Sequence, residues 1–241
     1  MSTMPRFLIL WGDGINCENE TVRAVEAAGG QAEKIHINEL CENSKLLLDF
    51  QGMVIPGGFS FGDHLGSGQI LSLKLERFIG EPLSRFVERF PVMGICNGFQ
   101  TLLRLGLLPD ADFKKSCALI ENQQGHFHNE WVELERNATS ACIWTRNLPE
   151  KFSLPARHGE GRFVCEEKTL RRLQNSGQIA LRYSDDFNGS MDRIAGICNS
   201  SGLVFALMPH PEAAVERWQL PYSGEAFGLQ FFKNAVEYLK G

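Results

Sequence analysis

Phe90-Pro91-Val92-Met93-Gly94-Ile95-Cys96-Asn97-Gly98-Phe99-Gln100, continued by Thr101-Leu102-Leu103, holds an apolar strand, a sharp turn and the start of a helix in immediate succession. Gly94 and Gly98 stand two residues either side of Cys96, and small residues there permit the strand-to-helix turn that lifts a side chain above a sheet. The upstream chain repeats the alternation of short apolar runs and amphipathic stretches. Residues 7–11 read as a buried strand, 18–28 as a helix stopped by Gly29-Gly30, 31–37 as a strand and 39–48 as a second helix. Residues 52–55 read as a strand entering the loop Pro56-Gly57-Gly58-Phe59-Ser60-Phe61-Gly62-Asp63, and a long helical stretch follows, interrupted by Gly80 and Pro82 before strand 91–95. Strands joined by helices need crossover connections, so the expected fold is α/β with a largely parallel sheet.

From about residue 118 the texture changes. Residues 131–135, 141–145, 179–183, 194–198 and 203–208 are short strand-like runs, several expected to be antiparallel at the edge of the parallel core. An amphipathic helix closes the chain at 225–239, and no linker or repeat divides it, so one domain is expected. The 241 residues are 43% hydrophobic and 22% charged with a net charge of -5, which excludes fibrous and disordered classes. No basic block marks a nucleic-acid or anionic-membrane surface. Seven scattered cysteines without a C-x-x-C fit neither a disulfide framework nor a structural zinc site. Residues 7–11 are too few for a membrane span or signal-peptide core, and the expected compartment is the cytoplasm.

Cys96 has two readings. As a nucleophile it gains from a helix N-terminus, where unpaired N–H groups and the macrodipole favour a thiolate and can bind an oxyanion. As a core residue it fills a tight junction. Pro209-His210-Pro211-Glu212 follows strand 203–208, which sets His210 on the same carboxyl-end rim as Cys96, where open α/β sheets place their sites. A thiol nucleophile needs a base, and the base needs a group that holds its tautomer; His210 and Glu212 supply both in one tripeptide. The alternative for His210 is a satisfied loop residue. Gly57 and Gly58 let backbone N–H groups point into a cleft. With no G-x-x-x-x-G-K-[ST] in the chain, that loop is half of an oxyanion hole or a plain turn rather than a nucleotide loop. Neither His126 nor His128 has a partner at metal-ligand spacing, and no metal is expected.

These elements, in this order, resemble the class I glutamine amidotransferases, in which an elbow cysteine and a late His-x-Glu hydrolyse the side-chain amide of glutamine. Gly58-Phe59-Ser60-Phe61-Gly62-Asp63, the elbow itself, His158-Gly159-Glu160-Gly161-Arg162 and Met208-Pro209-His210-Pro211-Glu212 are similar, within that class, to the glutaminase subunits of phosphoribosylformylglycinamidine synthases. Asn188-Gly189-Ser190 and Asn16-Cys17 add to the likeness, which spans essentially the whole chain. Departures fall at Phe61 and His64, where a Tyr is common, at Gly66-Ser67, where Arg-Ala is common, and in the turn Trp11-Gly12-Asp13-Gly14.

The resemblance implies one domain over residues 1–241 with an open, mostly parallel, flavodoxin-like sheet carrying added antiparallel strands. It implies Cys96 as nucleophile, His210 and Glu212 as its partners, and an oxyanion held by N–H groups of Gly57, Gly58 and Asn97. Gln100 would touch the amino-acid end of L-glutamine or be a helix-surface amide. Phe59, His158, Glu160 and Arg162 would line the site or a partner interface. No cofactor is expected on this chain; ATP and Mg are expected on a larger synthase subunit that aminates formylglycinamide ribonucleotide, with a small bridging subunit as a further candidate partner. Two other readings stand beside this one: the glutaminase of another amidotransferase or a related cysteine hydrolase, and a catalytically silent binding subunit.

Overall fold

Strand β1 (Arg6–Trp11) is buried from Phe7 through Leu10, as befits a strand covered on both faces. Helix α1 (Glu18–Ala27) returns the chain to β2 (Gln31–His36), followed by α2 (Ile37–Glu42), β3 (Gly52–Ile55) and α3 (Gln69–Val87). Strand β4 (Val92–Ile95) then runs through Cys96 into α4 (Asn97–Leu105). The second half supplies β5 (Cys117–Glu121), β6 (His128–Arg136), β7 (Lys151–His158), β8 (Glu160–Cys165), α5 (Glu167–Ser176), β9 (Ile179–Tyr183), β10 (Ile194–Cys198), β11 (Val204–Leu207) and α6 (Gly228–Lys240). This computed structural model describes residues 4–241.

Nine strands form one sheet in the order β2-β1-β3-β4-β11-β10-β9-β6-β7, and β5 pairs with β8 in a separate ribbon. The first five neighbours are parallel, in the flavodoxin-like order. The remaining pairings are antiparallel and extend the sheet beyond β11, as expected from the change of texture. Because β4 and β11 are parallel neighbours, with Ile95 opposite Leu207, the elbow and the His210 segment leave the sheet side by side at one edge. The antiparallel half curls back over that edge. The N–H of His210 donates to the Pro155 carbonyl of β7 at 2.8 Å, although β7 is the last strand of the sheet.

Four local expectations are corrected. Gly80 and Pro82 do not interrupt α3, whose buried Leu71, Leu75, Ile79, Leu83 and Val87 form one unbroken stripe. Proline 82 forfeits its hydrogen bond to the carbonyl of Phe78, a residue on the exposed face, and tertiary packing carries the helix across. The single helix expected over 39–48 is two pieces: α2 ends at Glu42, and a 3-10 segment, Ser44–Asp49, follows Asn43, whose ψ of 83° breaks the helical path. Residues 141–145 are not a strand; Ile143–Thr145 is a 3-10 turn locked by Ile143 N–H to the Gly202 carbonyl and by the Trp144 indole to the Leu203 carbonyl. The closing helix starts at Gly228 rather than 225. No helix among the described residues is long and apolar enough to cross a membrane.

Candidate active site

The elbow owes its shape to close packing. A Cβ on Gly98 would lie 2.0 Å from the Ile55 carbonyl oxygen of β3, and one on Gly94 would lie 2.6 Å from the Gly98 oxygen. With both positions stripped to backbone, α4 presses against β3 and β4, and Cys96 takes up the turn. Its φ of 51° and ψ of -103° lie outside the regions ordinary side chains occupy, a strain of about 1–3 kcal/mol that the surrounding packing must hold. Cys96 is 6% exposed, and its thiol donates weakly to the Arg157 carbonyl at 3.6 Å. The first N–H groups of α4, including that of Asn97, have no partner within the helix.

His210 is 3% exposed and Glu212 2%. Glu212 stands on the 3-10 turn Pro211–Ala213, which brings its Oε1 to 2.6 Å from His210 Nδ1. That bond places the imidazole proton on Nδ1 and leaves Nε2, buried and without a hydrogen-bond partner among the described residues, as the working atom. Burial alone would push the ring's pKa down. The Glu212 carboxylate outweighs it, with help from Cys17 and Cys96, and holds His210 well above the usual histidine value. Cys96 is thus near enough to bias the ring's charge but has not closed a bond to Nε2, a looseness common in free enzymes.

Cys96 and His210 open onto one pocket of about 400 Å³, lined also by Asn16, Cys17, Gly58, Phe59, Phe127, Asn129 and Arg157. Gly58 adopts a φ of 147°, and a Cβ there would sit 2.5 Å from the Gly14 oxygen. Gly57 has no room for a side chain because the His210 ring lies 2.7 Å from where its Cβ would be. Phe59 and Phe127 stand about half exposed at the mouth, their rings 6.4 Å apart.

The other expected site residues lie behind the pocket. The Asn97 side chain joins a buried knot, accepting from Ser60 N–H at 3.2 Å and donating to Gln100 Oε1 at 2.9 Å and to Asp63 at 3.3 Å. Burial pushes the Asp63 carboxyl up despite those donors. Gln100 spends its amide on the Glu160 carbonyl at 2.7 Å, bracing α4 to the start of β8; it does not line the Cys96 pocket, and being 6% exposed it is not a helix-surface amide. His158 is buried against Asn122, with Nδ1 3.1 Å from Asn122 Oδ1, and Arg162 runs close under Gly189. These residues support the wall rather than line it. Sequence reasoning overlooked Asn129, Phe127 and Arg157. Asn129 and its register partner Arg157 lie on one face of the β6–β7 pair, and Phe127 immediately precedes β6. Among the described residues, Cys17, His210 and Glu212 are the one group of three side chains whose donor atoms lie close enough together to share a metal ion. Their mutual hydrogen bonds account for that closeness.

Residues 4–239 match the CobB/CobQ-like glutamine amidotransferase domain. The chain is 36% identical over 270 aligned positions to the phosphoribosylformylglycinamidine synthase subunit PurQ of Methanococcus maripaludis, covering 99% of this chain and 98% of that one. It is 39% identical to the subunit of the same name from Dehalococcoides mccartyi, covering 97% of each. A chain in a structure of PurLQS from Thermotoga maritima superposes with a TM-score of 0.80 at 33% identity, covering 98% of this chain and 100% of that one.

Proposed function

The chain belongs to the family of CobB/CobQ-like glutamine amidotransferase domains, and we propose that it works there as the glutaminase subunit of phosphoribosylformylglycinamidine synthase, with Cys96, His210 and Glu212 as its triad. Near full-length identity to subunits of that name supports the assignment. The observation that carries the triad is the strained, buried Cys96 sharing one pocket with a histidine whose Nδ1 is 2.6 Å from a buried carboxylate.

Cys96 turns from the Arg157 carbonyl toward His210, gives up its proton to Nε2, and attacks the carboxamide carbon of L-glutamine. The oxyanion is held by N–H groups of the Gly57-Gly58 loop and of Asn97. His210 returns its Nε2 proton to the departing amine, and ammonia leaves as the glutamyl thioester forms. Water, deprotonated by the same nitrogen, then attacks the thioester; glutamate departs and the Cys96 thiol is restored. Arg157, which meets no carboxylate among the described residues, offers a counter-charge for the substrate's α-carboxylate at the pocket wall.

Ammonia in bulk water at neutral pH is mostly ammonium and not nucleophilic, so the product has to pass directly to an acceptor. We place that acceptor on a larger synthase subunit that carries ATP and Mg and aminates formylglycinamide ribonucleotide, with a small bridging subunit in the assembly and the whole in the cytoplasm. The PurLQS neighbour, whose name joins three letters to one assembly, supports the larger complex. In the reconstituted synthase, Cys96→Ala is expected to lose glutamine-dependent product formation by at least about 10³-fold while ammonium chloride still supports it. Glutamine-dependent activity surviving in that variant would sink the assignment of the nucleophile.

A further inference from the structure

We propose that Cys17 is a positioning residue for the catalytic histidine: its sulfur is a second acceptor for His210 Nδ1–H, holding the imidazole plane so that Nε2 faces Cys96. The proposal rests on the triad reading above and extends it to a residue outside the triad.

Cys17 is the residue just before α1, and its backbone is fixed at both ends. Its N–H donates to the Gly57 carbonyl at 3.2 Å, and its own carbonyl accepts from Thr21 N–H at 3.1 Å and Thr21 Oγ1 at 2.7 Å. The side chain therefore has little freedom, and it lies in the pocket wall with Sγ 3.9 Å from His210 Nδ1. The thiol proton is directed to Asn16 Oδ1 at 3.3 Å, which leaves a sulfur lone pair for the ring. Gly57 closes the slot: the position of its missing Cβ is 2.7 Å from His210 Cε1 and 3.4 Å from Cys17 Sγ. The ring is thus caught between the Gly57 backbone, the Cys17 sulfur and the Glu212 carboxylate.

A thiol suits this place better than a second carboxylate. Burial pushes the Cys17 pKa up, so the group stays neutral and accepts a hydrogen bond without adding negative charge beside Cys96 and Glu212. The groups facing His210 are Glu212 on its own turn, Cys17 before α1, Cys96 at the elbow and, at longer range from β7, His158. Among them Glu212 sets the tautomer, and Cys17 restrains the ring laterally and favours its charged form.

The test is a series at one position, Cys17→Ser, Cys17→Ala and Cys17→Val, assayed for glutamine hydrolysis in the intact synthase beside Cys96→Ala. Serine keeps an acceptor; alanine and valine lose it, with valine keeping the volume. Expected is a drop in kcat of about three- to tenfold for alanine and valine with KM nearly unchanged, the size of a weak hydrogen bond, and recovery of most of kcat by serine. The acid limb of the rate profile, where loss of the imidazolium frees Nε2 to take the Cys96 proton, should move to lower pH in alanine and valine only, because the lost acceptor no longer favours the protonated ring. An alanine variant with unaltered kcat and acid limb overturns the proposal, as does equal loss by serine and valine. In either case an inactive Cys96→Ala leaves the triad standing, whereas an active one removes the reading beneath both.

Discussion

His158 shows how far a residue can be read before its neighbours are known. Its motif pointed to the site or an interface, and the structure gives it a third place, inside the wall. Asn122 donates its amide nitrogen to the carbonyls of His126 and His158 and receives with its oxygen, so His158 Nδ1 must carry the proton and Nε2 is a bare, buried acceptor. A Cβ on Gly161 would fall 2.2 Å from the ring, which explains the glycine two residues after Gly159 as packing against His158. None of this is visible in a pentapeptide, because Asn122 is far away in sequence. Burial, reinforced by the charges of His210 and His128, pushes the His158 pKa down to about 3. The unfolded chain then binds a proton at His158 that the folded chain refuses, and stability falls as pH drops below the ordinary histidine value toward 3. From pH 7 to pH 5 this group should cost about 2 kcal/mol. His210 acts in the opposite sense, its contribution being full at low pH and lost as pH rises through its raised value, but it is common to wild type and variant. Urea unfolding of wild type and His158→Gln at both pH values checks this: the variant should lose about 2 kcal/mol less between them. An identical loss in the two proteins would assign the acid sensitivity elsewhere.

At the level of elements, what was legible followed periodicity, and what was missed ran against it. Strands β3, β9 and β10 fall on their expected residues because each is a short apolar run between turn signals. Strand β7 was hidden by Pro155, which argues against a central strand; it is tolerated because β7 is an edge strand with a single neighbour. Residues 141–145 look like a strand by composition, yet Ile143 and Trp144 are buried by α6 and the Leu203 segment instead of a ladder. Helix α3 is the clearest case of packing overriding propensity. Gly80 lies inside it with nothing within 4 Å of where a Cβ would stand and no positive φ. Gly80→Ala should therefore raise stability by about 0.5–1 kcal/mol, since alanine loses less backbone entropy on folding and meets no obstacle. A thermal or urea midpoint unchanged or lowered in that variant would mean that the helix is not continuous through residue 80.

For the whole molecule, the alternation of strands and helices was enough to place Cys96 and His210 on one rim, because neighbouring parallel strands β4 and β11 deliver both. The return of the antiparallel half was not legible, since it depends on how strands twist and curl rather than on any local pattern. That return completes the site. Strand β7 lends the Pro155 carbonyl to His210 N–H and the Arg157 carbonyl to the Cys96 thiol, while β6 and β7 together present Asn129 and Arg157 to the pocket. Gln178 of the second half donates to the Pro109 carbonyl at 2.7 Å and Gln100 of the first to the Glu160 carbonyl at 2.7 Å, so the two halves share buried polar bonds as well as apolar core. Neither half can open without stranding the other's buried groups, each at about 1–3 kcal/mol. We therefore propose a single domain and expect one cooperative unfolding transition. The change in tryptophan fluorescence, which comes chiefly from buried Trp144 and half-buried Trp131 because Trp11 and Trp218 are already exposed, and far-UV circular dichroism, which reports all helices and strands, should superimpose along a urea titration, with glutaminase activity lost at the same midpoint or before it. A fluorescence transition at clearly lower urea, with much of the dichroism intact, would show the antiparallel half melting alone and would divide the chain into two folding units.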